Sequence, residues 1–411
     1  MSEEPRRLHL FEGYGIELEY MIVDAGSLSV LPAADRVLAA QAGELASEVE
    51  VGPLRWSNEL VLHVIELKTN GPAATLSDLA EPFQAGVNAV NRHLQRFGGR
   101  LMPSAMHPWM DPHAETWLWP HENSPIYDSY NRIFGCQGHG WANLQSAHIN
   151  LPFQGDDEFG PLHAAIRLLL PILPALAASS PMLDGRVSGV LDSRLEVYRN
   201  NQKRIPEIAG QVIPEPAFTR TGYFSEILQP MYRAIAPHDP SGILQDEWLN
   251  SRGAIARFER DAIEIRVLDV QECPAADLAI ATLIAEALKA LTSERWQGVE
   301  QQMAWAVSPL ADLFVETVHR GEQAIITDPA YLAVFGFPGE RASAGDLWQH
   351  LAQQLFTGEA ALPAPLRVIF EHGPLSRRLL RGLGSAPDRA RQTEVYRELC
   401  DCLAEGRMFL G

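Results

Sequence analysis

Apolar and polar residues alternate near the start of the chain, as they do in a β-strand. In residues 14–23, four apolar side chains fall on one side of an extended backbone, and Glu17 and Glu19 fall on the other. An exposed strand would also carry two carboxylates on one face, but the rest of this run is apolar, which favours a central, covered strand. Two carboxylates about 7 Å apart on a buried face repel each other, so we expect a cation between them. Divalent ions that prefer oxygen ligands are the natural candidates.

Three later strand-like runs are interrupted by polar groups in a similar way. They cover residues 58–68, 145–152 and 262–269. The polar side chains of interest in these runs are Glu59, His63, Glu66, His148, Asn150, Glu264 and Arg266. Four strands of this kind predict one sheet whose polar face lines an interior site. Because the strands extend from residue 17 to residue 266, we predict a single catalytic domain over residues 1–411, with the strand core in residues 1–292 and a mainly helical part in residues 293–411.

The spacing of Glu59 and Glu66 is unusual for two residues that share a site. They are an odd number of residues apart, so an unbroken strand would direct them to opposite faces. Both can be ligands only if a bulge or bend lies between them. His63 falls on the Glu59 side, where a buried structural histidine is the expected role. Lys68 could reach a phosphate, although a solvated lysine is the ordinary expectation.

Residues 107–143 are rich in Trp, His, Pro, Gly and Asn and show little periodicity. A loop of this length inside a compact domain is usually functional or disordered, and its aromatic content argues against disorder. We predict that it covers the substrate, with Gly135, Gly138 and Gly140 allowing it to move.

Composition excludes several classes of function. The chain has 411 residues and a net charge of −19, which argues against a general nucleic-acid or membrane-surface binder. The longest apolar run, residues 166–178, is too short to span a bilayer and contains two prolines. Of the four cysteines, Cys400 and Cys402 are too close for the usual zinc knuckle, and no second pair completes one. Reduced thiols in a cytoplasmic protein are the simplest interpretation.

Familiar nucleotide and hydrolase motifs are missing from the sequence. It contains no G-x-x-x-x-G-K-[ST], no G-x-G-x-x-G after a strand, no H-E-x-x-H and no G-x-S-x-G. If ATP binds, metal ions and arginines must hold its phosphates in place of a glycine-rich loop.

Taken in order, the polar strands resemble those of the glutamate–cysteine ligases and related carboxylate–amine ligases. The run G-I-E-L-E at residues 15–19 is similar to the first metal strand of that family, and Glu59 and Glu66 match the spacing of its next acidic pair. His148, in S-A-H-I-N-L-P-F, stands where the family has a metal-binding histidine. Residues 264–269 resemble its closing strand for metal and phosphate. The resemblance extends from about residue 11 to residue 292.

This resemblance implies a fold, two kinds of cofactor and a set of site residues. The fold would be α+β and glutamine-synthetase-like: a curved antiparallel sheet forming an active-site funnel, with helices packed outside. ATP and Mg²⁺ or Mn²⁺ would take part in an acyl-phosphate mechanism. The implied metal ligands are Glu17, Glu19, Glu59, Glu66, His148 and Glu264. Arg266 would neutralise the phosphoryl group, Arg132 and Arg194 would bind substrate or phosphate, and Asn150 would contact substrate.

The expected activity is ATP-dependent ligation of glutamate to cysteine, giving γ-glutamylcysteine, ADP and phosphate, as in glutathione biosynthesis. Three alternatives stay open at this point: a ligase or phosphotransferase of the same fold acting on another amine or a guanidino compound, a metal-dependent hydrolase that uses His148, and a binding protein without turnover. The expected partners are amino acids and ATP, with no nucleic acid and no membrane. A homo-oligomer is left open.

Overall fold

The structure is a computed structural model that describes residues 7–357 and 361–411. Within these ranges the strands are β1 Gly15–Asp24, β2 Glu48–Val51, β3 Leu54–Asn58, β4 Val64–Thr69, β5 Gly99–Met102, β6 Ser146–Pro152, β7 Met182–Leu183, β8 Arg186–Val187, β9 Ala254–Arg257, β10 Ala262–Asp269, β11 Ile325–Ile326 and β12 Ala342–Ser343.

The α-helices alternate with these strands and dominate the last third of the chain. They are α1 Ala34–Ala42, α2 Ala80–Gln95, α3 Pro112–Glu115, α4 Ser124–Phe134, α5 His139–Ala142, α6 Gly155–Leu169, α7 Pro174–Ala177, α8 Ser193–Tyr198, α9 Arg220–Tyr223, α10 Gln229–Ile235, α11 Pro274–Thr292, α12 Val299–Met303, α13 Val307–Arg320, α14 Pro329–Val334, α15 Ala344–Leu355, α16 Ala364–His372, α17 Leu375–Leu383 and α18 Arg389–Glu405.

The main sheet is antiparallel, with β1 near its centre. Its strand order is β2-β3-β4-β1-β6-β10-β9, and β5 pairs with the second half of β1. On one face of β1 the apolar side chains, among them Leu18 and Tyr20, are buried in one core cluster with residues of α2, α6 and α11. The opposite face of β1 carries Glu17 and Glu19. The alternation seen in the sequence therefore reflects a strand with one fully apolar face and a second face that is polar at Glu17 and Glu19 and apolar at Met21 and Val23.

The run at residues 58–68 is two strands joined by a turn, so its prediction as one strand was wrong. β3 ends at Asn58 and β4 begins at Val64. Glu59 lies between these strands, so strand alternation does not fix its direction relative to Glu66. The two side chains point to the same site despite their odd spacing. His63 is fully buried and its Nε2 donates to the carbonyl of Ala142 at 2.7 Å, so it is a structural histidine, as expected.

A β-bulge interrupts β10 where it crosses β6. Ile265 pairs with Ile149 and Leu268 pairs with Ala147, so Arg266 and Val267 together oppose a single residue of β6. The extra residue shifts the alternation beyond the bulge. As a result Asp269 pairs with Ser146 and reaches the same face as Glu264, although the two are an odd number of residues apart.

The segment predicted to be irregular contains an eleven-residue helix, α4, which ends at Gly135 with φ of 72°. The sequence does carry a helical period here, because Ile126, Tyr127, Tyr130, Ile133 and Phe134 recur at steps of one, three and four residues. The prediction of little periodicity was wrong here, because the stripe is short and lies inside a long segment rich in Gly and Pro.

Residues 293–411, apart from the three that are not described, are mainly helical and pack against the sheet domain. Tyr331 donates to the carbonyl of Leu168 at 2.6 Å, and the Trp348 indole donates to the carbonyl of Ile172 at 2.8 Å. One core cluster extends from Tyr14 to Leu403, and a second joins residues of α17 and α18 to Met21 and Val23 of β1. No helix within residues 7–357 and 361–411 is long and apolar enough to cross a membrane.

Candidate active site

The polar face of the sheet forms an acidic wall built by cross-strand pairing. Glu17 stands opposite His148, and Glu19 stands opposite Glu66. The His148 ring is held at both nitrogens, since Nδ1 lies 3.0 Å from Glu17 Oε2 and Nε2 lies 2.9 Å from Ser146 Oγ. Glu19 in turn accepts hydrogen bonds from the backbone and the hydroxyl of Ser146, at 2.6 and 2.9 Å. The imidazole and the two carboxylates are therefore fixed relative to one another.

Five of the six predicted metal ligands fall into two three-residue groups with metal-binding geometry. One group is Glu17, Glu66 and His148, and the other is Glu19, Glu59 and Glu66; within each, one ligand atom per residue lies within 4.8 Å of the others. Glu66 belongs to both groups. Three oxygen or imidazole ligands at this separation are suited to a hard divalent ion.

The electrostatics of the wall fit a cation. Burial raises the pKa of Glu59 well above its usual range, and the charges of Glu66 and Glu19 raise it further. Burial, followed by the charge of Glu17, raises the pKa of Glu66 to about 7, even though Lys68 Nζ lies 2.9 Å from its Oε2. The ionised forms of these carboxylates are therefore unfavourable in the protein alone, and a divalent ion would stabilise them.

His148 partly compensates this charge. Burial would lower its pKa, but the hydrogen bond to Glu17 and the charges of Glu19, Glu17 and Glu264 outweigh burial and raise the pKa to about 9. Burial would raise the pKa of Glu17, and the hydrogen bond and charge of His148 bring it below its usual range. A proton on His148 and a bound cation are alternative ways of neutralising the same carboxylates.

Glu264, the sixth predicted ligand, is placed differently. It is 3% exposed and is engaged by two arginines, with Arg266 Nη2 at 3.0 Å and Arg257 Nη1 at 3.4 Å, while His148 Nδ1 lies 3.7 Å away. It borders the acidic wall but belongs to neither three-residue group. Arg257 was missed in the sequence, although the register of the β9–β10 hairpin places it diagonally across from Glu264.

Arg266 and Arg194 approach the wall from one side. Arg266 Nη1 donates to the carbonyl of Asn250 at 3.2 Å, in addition to its contact with Glu264. Arg194 is buried, and its Nε donates to Asp269 Oδ1 at 2.5 Å. Asp269 is held by the Ser180 hydroxyl at 2.8 Å, and it reaches Arg194 because of the bulge in β10. The bulge thus positions a second guanidinium at the site.

Arg132 is not brought to the site, and its predicted place there is corrected. Its side chain is exposed, and Nη1 donates to the carbonyl of His238 at 2.9 Å. It lies two positions after Tyr130 on α4, which rotates it about 200° away from the side that faces the sheet. Asn150 is at the site, where its Nδ2 donates to Glu17 Oε1 at 3.0 Å.

Two cavities meet at the acidic wall. The outer cavity, of about 960 Å³, is lined by Glu17, Lys68, Asn150, Arg257 and Arg260, among others. The inner cavity, of about 250 Å³, contains Arg194, Tyr198, Gln202 and Ser251. The residues that line both cavities are Glu19, Glu59, Tyr127, Tyr130, His148, Trp248 and Arg266. Tyr127 and Tyr130 come from α4, so the segment predicted as a cover does face the site.

Comparison with known proteins identifies the family of this chain. Residues 14–401 match glutamate–cysteine ligase family 2 (GCS2). A protein of Archaeoglobus fulgidus, named only as an uncharacterized protein, is 38% identical over 280 residues, which are 68% of this chain and 75% of that protein. A Rubrobacter xylanophilus protein named "Putative glutamate--cysteine ligase 2-3" is 29% identical over 185 residues, 45% of this chain and 47% of its own length. The chain therefore belongs to glutamate–cysteine ligase family 2.

The fold is also found in a solved structure. Glutamate–cysteine ligase from Francisella tularensis, solved in complex with AMP, superposes with a TM-score of 0.64 at 11% identity, covering 94% of this chain and 88% of that one. The predicted α+β, glutamine-synthetase-like fold is confirmed. Family and fold together support an ATP-dependent ligase of the carboxylate–amine class.

Proposed function

We propose that the protein joins glutamate to cysteine at the expense of ATP, giving γ-glutamylcysteine, ADP and phosphate. The observation that carries this proposal is the meeting of two cavities at a wall that holds both clustered carboxylates and Arg266. Family membership supports it, and so does the AMP bound by the structural neighbour. The cytoplasm is the proposed location, in line with four cysteines that are all free thiols.

In this proposal the outer cavity takes ATP and the inner cavity takes the amino acid that is phosphorylated. The outer cavity is the larger, and Lys68, Arg257 and Arg260 on its lining can pair with phosphate oxygens. The two three-residue groups of the wall would hold divalent ions. When bound, these ions would neutralise the triphosphate and reduce its repulsion from a substrate carboxylate. Arg194 in the inner cavity can pair with the carboxylate of an amino acid.

The reaction takes place in two steps. First, an oxygen of the glutamate γ-carboxylate attacks the γ-phosphorus of ATP, and the bond from that phosphorus to ADP breaks. The product is an acyl phosphate. Second, the cysteine amine attacks the acyl carbon, loses a proton, and phosphate leaves. Arg266 faces the junction where both steps occur and can grip two oxygens of the transferring group with its guanidinium.

Release of ADP tests this function directly. Purified protein is incubated with ATP, Mg²⁺ and a panel of amino acids and amines, and the products are analysed by mass spectrometry. We expect ADP release that needs both glutamate and cysteine, stops with a chelator and returns with Mg²⁺ or Mn²⁺. Release that needs a different amine or a guanidino compound would keep the ligase or phosphotransferase class and replace the substrate. Hydrolysis without nucleotide, or ATP binding without turnover, would contradict the proposal.

A further inference from the structure

An aromatic cluster lies where the two cavities meet. Tyr130 and Trp248 line both cavities, and Trp141 lines the inner one. The ring centroids of Tyr130 lie 5.2 Å from those of Trp141 and 6.0 Å from those of Trp248. The Tyr130 ring therefore connects the two indoles within a lining that also carries charged side chains of the sheet.

Both ends of this cluster are fixed to the parts of the protein that carry the charges. Tyr130 lies on α4, one turn after Tyr127, whose hydroxyl accepts a hydrogen bond from Asn58 at the end of β3. Trp248 lies two residues before Asn250, whose carbonyl accepts from Arg266 at 3.2 Å. These contacts hold α4 and the segment that carries Trp248 beside the charged side chains.

Water is the chief competitor of the amine at such a centre. An acyl phosphate reacts with an amine to give an amide, phosphate and a proton. It reacts with water to give the original carboxylate, phosphate and a proton, so that ATP is consumed without a product. Apolar side chains that occupy the space around the acyl carbon lower the chance that water reaches it.

We propose that Tyr130 and Trp248 set the partition of the acyl phosphate between the amine and water, by excluding water from the junction of the two cavities. This inference rests on the proposed function and extends it to residues that hold no charge and bind no metal. Tyr130 acts through its ring, because the space that the ring fills is what separates the acyl carbon from bulk solvent. Its hydroxyl is not needed for that role.

The ratio of ADP released to amide formed measures this partition. The assay contains ATP, Mg²⁺, glutamate and cysteine, and both products are quantified in the same reaction. The parent should release one ADP per amide. In Tyr130→Ala the ratio should rise roughly threefold or more, because water enters the space left by the ring. Tyr130→Phe keeps the ring and should stay near one to one.

Two further variants complete the test. Trp117→Ala removes an aromatic residue of the same segment that is 61% exposed and lines neither cavity, and its ratio should equal that of the parent. Trp248→Leu removes the second ring, which lies on a different element, and should raise the ratio as Tyr130→Ala does. It decides the outcome if circular dichroism shows that Tyr130→Ala is unfolded. A folded variant whose ADP and amide fall together at an unchanged ratio would overturn the inference. Failure of the parent to form any amide would instead overturn the proposed function.

Discussion

Arg266 is the residue on which the proposed chemistry depends most. It is bonded to Glu264 and to the carbonyl of Asn250, so a purely structural role is a real alternative. Its side chain is nevertheless 22% exposed and lines both cavities. An ion pair with no other role would not need to face the place where the two cavities meet.

Arg266→Lys distinguishes these roles. If the guanidinium stabilises charge only while the phosphoryl group transfers, kcat for ADP release should fall by a factor on the order of 10²–10³. Lysine keeps the charge but loses the fork that grips two oxygens. Thermal stability and nucleotide affinity should change little. Arg199→Lys, whose native side chain pairs with Glu196 and lines neither cavity, should match the parent. Parent-like turnover would remove Arg266 from the mechanism, and a variant that fails to fold would favour the pair with Glu264.

Glu66 offers a test of the proposed metal sites, because it is the carboxylate shared by both three-residue groups. Glu66→Gln removes one negative charge from each group while keeping the shape of the side chain. We expect Mn²⁺ affinity, measured by calorimetric titration, to fall on the order of 10–100-fold. Glu50→Gln is the matched control, since Glu50 lies on β2, is 65% exposed and pairs with Arg55. Unchanged Mn²⁺ binding in Glu66→Gln would show that the clustered carboxylates do not hold the ion.

At the scale of elements, strand alternation was readable wherever it was unbroken. It placed Glu17 and Glu19 correctly on the polar face of β1 because a two-residue period leaves few alternatives. It failed at residues 59–63, where the turn E-L-V-L-H is mostly apolar, as a strand would be, and has no Gly or Pro to mark it. The bulge in β10 has no marker residue either, so the arrival of Asp269 beside Arg194 could not be predicted.

The hydrogen bond from His107 to Leu28, between two loops of the fold, makes the folded state sensitive to acid. His107 is fully buried at the start of the segment that leads to α4; its Nε2 donates to the carbonyl of Leu28 at 2.8 Å, and burial lowers its pKa to about 3. The unfolded chain takes up a proton on this side chain near its ordinary pKa of about 6.5, whereas the folded chain does not. The folded state is therefore penalised progressively as the pH falls below about 6.5.

His107→Gln removes this titration and retains an N–H donor for Leu28. Between pH 7 and pH 5 the parent should lose about 2 kcal/mol of unfolding free energy through His107, and the variant should lose less by about that amount. Urea unfolding at the two pH values measures the difference. His113→Gln, an exposed histidine on α3, should follow the parent. Equal losses in the parent and His107→Gln would contradict the assigned proton linkage.

At the scale of the whole molecule, the site is assembled from strands far apart in the chain, and this limited what the sequence could reveal. The order of the acidic strands along the sequence was enough to indicate the family. These strands, β1, β4, β6 and β10, are neighbours in the sheet, so their polar residues share one site. The cavities were not predictable, since their walls depend on how α4 and the turn at Trp248 pack over the sheet. Arg132 was misplaced for the same reason: the direction of a side chain on α4 depends on the orientation of the whole helix.

The C-terminal helices contact the sheet domain through a buried ion pair. Arg378 on α17 pairs with Glu272, which precedes α11, and both side chains are 0% exposed. Arg378 also donates to the carbonyl of Phe409 near the chain end. A charge buried to this extent is tolerated only while its partner is present. The predicted single domain over residues 1–411 can be tested here, because the pair lies between the strand core and the helical part.

Arg378→Met should destabilise the whole chain and not only its last helices. It leaves Glu272 buried without its partner, at a cost of about 3–5 kcal/mol in unfolding free energy. Urea unfolding followed by circular dichroism and by tryptophan fluorescence should show one coincident transition in parent and variant, because Trp56 and Trp348 belong to the same core cluster. Arg391→Met breaks an exposed pair with Glu394 and should cost less than about 1 kcal/mol. Two separate transitions, of which Arg378→Met shifts the first and not the second, would contradict the single domain. They would indicate a strand core and an independently unfolding helical unit.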